Sequence, residues 1–155
     1  FALGTSYPAI VEAVAKMCQS EPIANDYVLV ADATGVGAAV MDLLAARGLN
    51  LIQVTITAGD AASNEGNRHR VPKRDLVGVL QVLLQNQTLK FAGDLPEVPT
   101  LIKELLAFQV KINLTTAHDS YGAWRDGAHD DLVLSLALAC WYAKHILGAW
   151  YCAEL

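Results

Sequence analysis

Three groups of residues in this sequence could carry chemistry. Asp32 stands directly after the apolar, β-branched run Tyr27 to Ala31. Ligands gather at the carboxyl ends of strands in open α/β sheets, and a carboxylate there can bind a cation. It can equally cap the next helix or make an Asx turn toward Gly35. Asp130 and Asp131 open the most apolar stretch, Leu132 to Ala143. The helix dipole favours acids at that end, and they can simply cap it. An acid in the first turn of a buried helix would lie near the interior, where charge is costly unless paired or metal-bound. Asp32, Asp130 and Asp131 together are oxygen donors of the kind that suit Mg²⁺ or Mn²⁺. His129, just before them, could be a ligand, a general acid or a loop residue. The third group is Arg68, Arg70, Lys73 and Arg74, around the start of a helix whose free backbone N–H groups favour anions. It reads as a phosphate contact or as a solvated loop.

Other candidates carry less. Gly35-x-Gly37 between strand and helix is a weak dinucleotide signal: the third glycine position holds Val40, and residues 52–57 supply no acidic partner. The glycines more simply permit a tight turn and close packing. His69 and His118 read as solvated loop residues, and His145 suits a helix C-terminus. Cys18, Cys140 and Cys152 lie far apart in apolar stretches. They form neither a disulfide framework nor a zinc pattern, and read as buried thiols in a reducing compartment.

Certain elements must position these residues. Ser6 to Cys18 reads as a helix, with Pro8 in its first turn. Tyr27 to Ala31 reads as a strand buried on both faces. A helix from Val36 to Arg47 is stopped by Gly48, and Leu49 to Thr57 is a second strand. Residues 27–57 thus have the size of a parallel strand–helix–strand crossover. Ala58 to Val71 reads as a flexible polar loop. Pro72 leads into a helix over Lys73 to Gln85, with Leu76, Val79, Leu80, Leu83 and Leu84 as its apolar face. Leu89 to Phe91 is a candidate short strand. Pro96 or Pro99 opens a helix through Phe108. Val110, Ile112, Leu114 and Thr116 alternate with polar residues, predicting a half-exposed strand that returns through Tyr121 to Trp124 as a hairpin. A helix over Leu132 to Leu147, apolar all round from Leu132 to Ala143, closes the series. The expected class is α/β, with parallel strands early and an antiparallel hairpin late.

The 155 residues fit one domain. Hydrophobic residues make up 54% and charged ones 17%, which excludes disorder as the main state. Leu132 to Ala143 is too short for a bilayer span. No charged, hydrophobic and small-residue series opens the chain, so no signal peptide is expected. The start at Phe1, without Met, points to a piece of something longer. The net charge of −5 is uneven: residues 1–66 carry −5, residues 67–111 carry +3 and residues 112–155 carry −3. That argues against a general nucleic-acid coat but allows a local phosphate-binding strip.

Three segments resemble one family when taken in order. They are Val30-Ala31-Asp32-Ala33-Thr34-Gly35-Val36-Gly37, then Val71-Pro72-Lys73-Arg74-Asp75-Leu76-Val77, then Gly127-Ala128-His129-Asp130-Asp131-Leu132-Val133 and the apolar residues that follow. The pattern is similar to the nuclease domain of the large terminase subunit of tailed phages and prophages, over most of the chain. The resemblance implies a ribonuclease H-like mixed sheet flanked by helices. It implies cutting of concatemeric double-stranded viral DNA with two divalent metals, Mg²⁺ or Mn²⁺, held by acidic residues. Asp32 matches the acid after the strand, and Asp131, in preference to Asp130, matches the acid opening the last helix. Lys73 would approach DNA phosphate.

The family's first metal-binding Asp, with the strands around it, has no counterpart here, because Asp26 does not fit. The resemblance therefore implies an N-terminally truncated domain with one metal ligand absent and an exposed sheet edge that would favour pairing with another copy. The partners it implies in the parent protein are an ATPase motor domain, the portal and the small terminase subunit, in the bacterial host cytoplasm, with no membrane. Two competitors stand beside this reading. One is a kinase- or actin-like ATP-binding domain, which would need a second glycine-rich phosphate loop. The other is a non-catalytic interaction fragment of the same fold.

Overall fold

A computed structural model describes residues 1–2, 4–24, 26–35, 37–115 and 130–148, with residues 38 and 109–115 described by their backbone alone. The chain divides into two compact units, Phe1–Lys73 and Arg74–Leu155. The described residues form five helices and a four-stranded mixed open sheet, an α/β architecture consistent with a ribonuclease H-like fold.

The first unit contains α1 (Tyr7–Cys18), β1 (Leu29–Asp32), α2 (Gly37–Ala46), β2 (Leu51–Thr57), β3 (Ser63–Glu65) and β4 (Arg68–Pro72). The sheet order is β1-β2-β4-β3. Strands β1, β2 and β4 are parallel, and β3 runs antiparallel beside β4. The expected strand–helix–strand crossover is therefore present as β1-α2-β2. Helix α1 buries Val11, Ala15 and Cys18, spaced four and three residues apart along one stripe. Val11 packs with Met41 and Leu44 of α2 and Leu51 of β2, and Leu29 and Ala31 of β1 join them. Burying side chains of this size contributes roughly 1.5–3 kcal/mol each. Because Leu29 pairs in register with Leu51, both point to the side of the sheet that α1 and α2 cover. The strand expected to be buried on both faces is only half-buried, because β1 forms an edge of the described sheet.

Residues 58–71, expected to be a loop, instead hold β3 and β4. A two-residue turn, Gly66-Asn67, joins Glu65 to its register partner Arg68. Gly66 has φ of +57°, which suits the tight hairpin turns that match strand twist. The Asn67 side-chain amide donates to the Leu51 carbonyl at 2.9 Å, and its own carbonyl accepts from Gln53 N–H at 2.9 Å. These bonds fasten the hairpin to β2. His69, expected to be solvated, is buried at 8% exposure, because β4 alternates: Arg68 and Arg70 are exposed while His69 and Val71 are buried. A histidine in the apolar phase hid the period of two.

Helix α3 (Lys73–Gln85) leads out of β4 with the bounds expected, burying Leu76, Val79 and Leu80. Residues 89–91 form no strand. The second unit also contains α4 (Val98–Thr115) and α5 (Asp131–His145), which pack together. The expected strand over Val110 to Thr116 is corrected, since α4 runs on to Thr115. No Gly or Pro lies between Pro99 and Thr115 to stop it, and extending a formed helix needs no new nucleus. The return strand, Tyr121 to Trp124, lies outside the described residues. Helix α5 is not buried all round: Val133, Ala137, Leu138 and Trp141 are buried, whereas Asp131, Ser135 and Ala139 are exposed. No helix among the described residues is long and apolar enough to cross a membrane.

Candidate functional site

Asp32 is the last residue of β1, at the sheet edge where the parallel strands β2 and β4 also end, in Thr57 and Pro72. Its Oδ1 accepts a hydrogen bond from the backbone N–H of Thr34 at 2.8 Å. This is an Asx turn, made with Thr34 rather than Gly35. The Thr34 hydroxyl oxygen accepts from Ile56 N–H at 3.0 Å, and Ala33 N–H donates to the Val54 carbonyl at 2.8 Å. The turn is thereby tied to β2 beyond the end of β1. Helix α2 starts so close that a Cβ on Gly37 would lie 2.7 Å from the Asp32 carbonyl oxygen. The second glycine thus serves close approach of helix to strand. Asp32 itself stays exposed. A carboxylate has about four lone-pair sites, so one turn hydrogen bond leaves capacity for a ligand.

The other acids lie in the second unit, at the start of α5. Asp130 holds the N-cap position, yet its side chain makes no capping hydrogen bond. The cap comes instead from α4: Glu104 Oε2 accepts from Leu132 N–H at 3.0 Å and from Val133 N–H at 3.2 Å. The capping alternative for Asp130 is therefore not the one the chain adopts. Asp131 is the first residue of α5 and is exposed. Glu104 escaped the sequence reading. Its signal was an acid at the same helical spacing as Leu101, Leu105 and Phe108, since a carboxylate within an apolar stripe needs partners.

The basic group divides. Arg68 and Arg70 are exposed on β4, and neither forms an ion pair among the described residues. Lys73 is half-buried at the start of α3, and Arg74 lies 3.6 Å from the Asp75 carboxylate. His145 stacks on Trp141, with ring centroids 5.9 Å apart. Cys18 is buried and Cys140 half-buried, and burial pushes both thiols up from their ordinary range. His129, His118 and Cys152 lie outside the described residues.

Among the described residues, no group of three or more His, Cys, Asp or Glu side chains converges to hold a metal ion. The donors at Asp32, Asp130 and Asp131 are nonetheless all carboxylate oxygens, the chemistry that hard divalent cations take. No protein-family model, curated protein or solved structure gives a significant match to this chain.

Proposed function

We propose that this chain is a divalent-metal-dependent endonuclease domain of the terminase type, hydrolysing phosphodiester bonds of double-stranded DNA. The observation that carries the reading is Asp32. It ends a parallel strand at the ligand-collecting edge of an α/β sheet, inside the segment that most resembles the family. Asp131 at the first residue of α5, with Asp130 relieved of capping by Glu104, supports the same reading.

The resemblance assigns Mg²⁺ or Mn²⁺ binding to Asp32 in the first unit and to Asp131 or Asp130 in the second, with His129 next to Asp130 in the chain. When bound, such ions activate the attacking water and stabilise the leaving oxygen. The Thr34 N–H fixes one oxygen of Asp32, and Glu104 fixes the start of the helix that carries Asp131. Both carboxylates are thus presented from fastened backbone. The basic segment would hold the DNA backbone, with affinity that falls as salt rises.

Nicking of supercoiled plasmid tests the proposal. In the full-length parent, Mn²⁺ should support nicking, EDTA should abolish it, and Asp32→Asn or Asp131→Asn should each slow it by about a hundredfold or more. Absence of Mn²⁺-dependent nicking, or nicking that survives Asp32→Asn, would overturn it.

A further inference from the structure

We infer that the side-chain hydroxyl of Thr34 is a positioning group for a divalent cation at Asp32, holding the hydration of that ion and setting how tightly it binds. The inference rests on the reading of Asp32 as a metal ligand. It adds a role for the hydroxyl, which is separate from the backbone bond that Thr34 gives Asp32.

Strand β1 ends at Asp32, in register with Val54, while β2 runs on to Thr57. Past Val54, β2 therefore borders a chain that is turning away into α2. Ala33 N–H still donates to the Val54 carbonyl at 2.8 Å. One step further, Thr34 Oγ1 accepts the Ile56 N–H at 3.0 Å, where a continuing strand would have offered a carbonyl. The backbone of the same residue is also engaged: its N–H donates to Asp32 Oδ1 at 2.8 Å, and its carbonyl accepts from Gly37 N–H at 3.3 Å. Thr34 thus joins the end of β1, the edge of β2 and the start of α2.

A threonine hydroxyl has one proton and two lone pairs. Ile56 takes one lone pair, and the proton and the second lone pair have no partner among the described residues. The hydroxyl is therefore fixed in place with capacity to spare, two residues from a carboxylate that also has capacity to spare. Hard cations such as Mg²⁺ keep several waters when one or two carboxylates bind them. Those waters need hydrogen-bond partners, and such outer partners set metal affinity. The β-branch of threonine adds a stiff χ1, so little freedom is lost when an ion arrives.

The test is Mn²⁺ titration of the full chain and its variants, with the free ion read by electron paramagnetic resonance. Thr34→Val keeps the shape and removes the hydroxyl, and should weaken Mn²⁺ binding about tenfold or more. Thr34→Ser keeps the hydroxyl and should stay within about threefold of native. Thr34→Cys offers a weaker acceptor and should fall between them, which keeps the test decisive where the valine variant does not fold. Asn67→Ala is the control for loosened structure, because it removes another side-chain bond to β2, the one to the Leu51 carbonyl. Both Thr34→Val and Asn67→Ala should lower the thermal midpoint, yet only the first should weaken Mn²⁺ binding. Native affinity in Thr34→Val and Thr34→Cys would overturn the inference, as would an equal loss in Asn67→Ala. Binding that Asp32→Asn abolishes and the Thr34 series leaves unchanged would sink this inference alone. A native chain that takes up no Mn²⁺ would sink both it and the reading of Asp32 as a ligand.

Discussion

The carboxylate of Glu104 on α4 accepts the backbone N–H of Leu132, the second residue of α5, at 3.0 Å. An acid on one helix thus caps another, 28 residues away in the chain. Glu104→Ala would leave two part-buried N–H groups without an acceptor and should cost about 1–2 kcal/mol in urea unfolding. Glu104→Gln keeps a carbonyl oxygen at that place and should cost less than about 1 kcal/mol. Equal losses from both substitutions would mean that charge, rather than hydrogen bonding, holds the helix start.

Two glycines on helices should respond oppositely to alanine. A Cβ at Gly37 meets the Asp32 carbonyl oxygen at 2.7 Å, so the strand end or the helix start must shift. Gly37→Ala should destabilise by about 1–3 kcal/mol, the range for forced overpacking. Gly78 lies within α3 with nothing within 4 Å of its Cβ position. Gly78→Ala should stabilise by about 0.5–1 kcal/mol through better helix propensity. Thermal unfolding of the two variants beside the native chain checks both signs.

The thiols give a pH dependence. Burial raises Cys18 and Cys140 above their ordinary range in the folded chain. The unfolded chain therefore ionises first as pH rises, and stability present below the ordinary thiol range is lost as pH climbs through it and on through the folded values. Unfolding midpoints should fall as pH rises through and above the ordinary thiol range, and Cys18→Ala/Cys140→Ala should flatten that fall. At neutral pH, Cys140 should react with a thiol reagent before Cys18, whose side chain is buried.

The parts of the fold legible in the sequence were those with strong punctuation. Pro8 and Gly48 bracket α1 and α2, and Pro72 leads into α3, so those elements fall within two residues of expectation. The crossover to β2 followed from two apolar runs flanking a helical one. The β3–β4 hairpin was missed because His69 is a polar residue in a buried phase, and because Gly66-Asn67 is a turn signal set among other polar residues. The extension of α4 was missed because Val110, Ile112 and Leu114 alternate like a strand, while nothing after Phe108 ends the helix. The place of Asp32 at a strand end was legible from the apolar run before it, whereas its Asx turn closes on Thr34 and not on the expected Gly35. Glu104 was not legible, because its partners are backbone N–H groups of a distant segment, which no local pattern announces.

Mn²⁺ binding read by electron paramagnetic resonance tests the proposed metal-binding roles of Asp32 and Asp131 most directly. Adding native chain should suppress the signal of free Mn²⁺. Asp32→Asn and Asp131→Asn should each restore it, while Glu12→Gln, on the exposed face of α1, should leave suppression unchanged. A free-ion signal untouched by native chain, or suppressed equally by the Asp32→Asn and Asp131→Asn variants, would contradict the account.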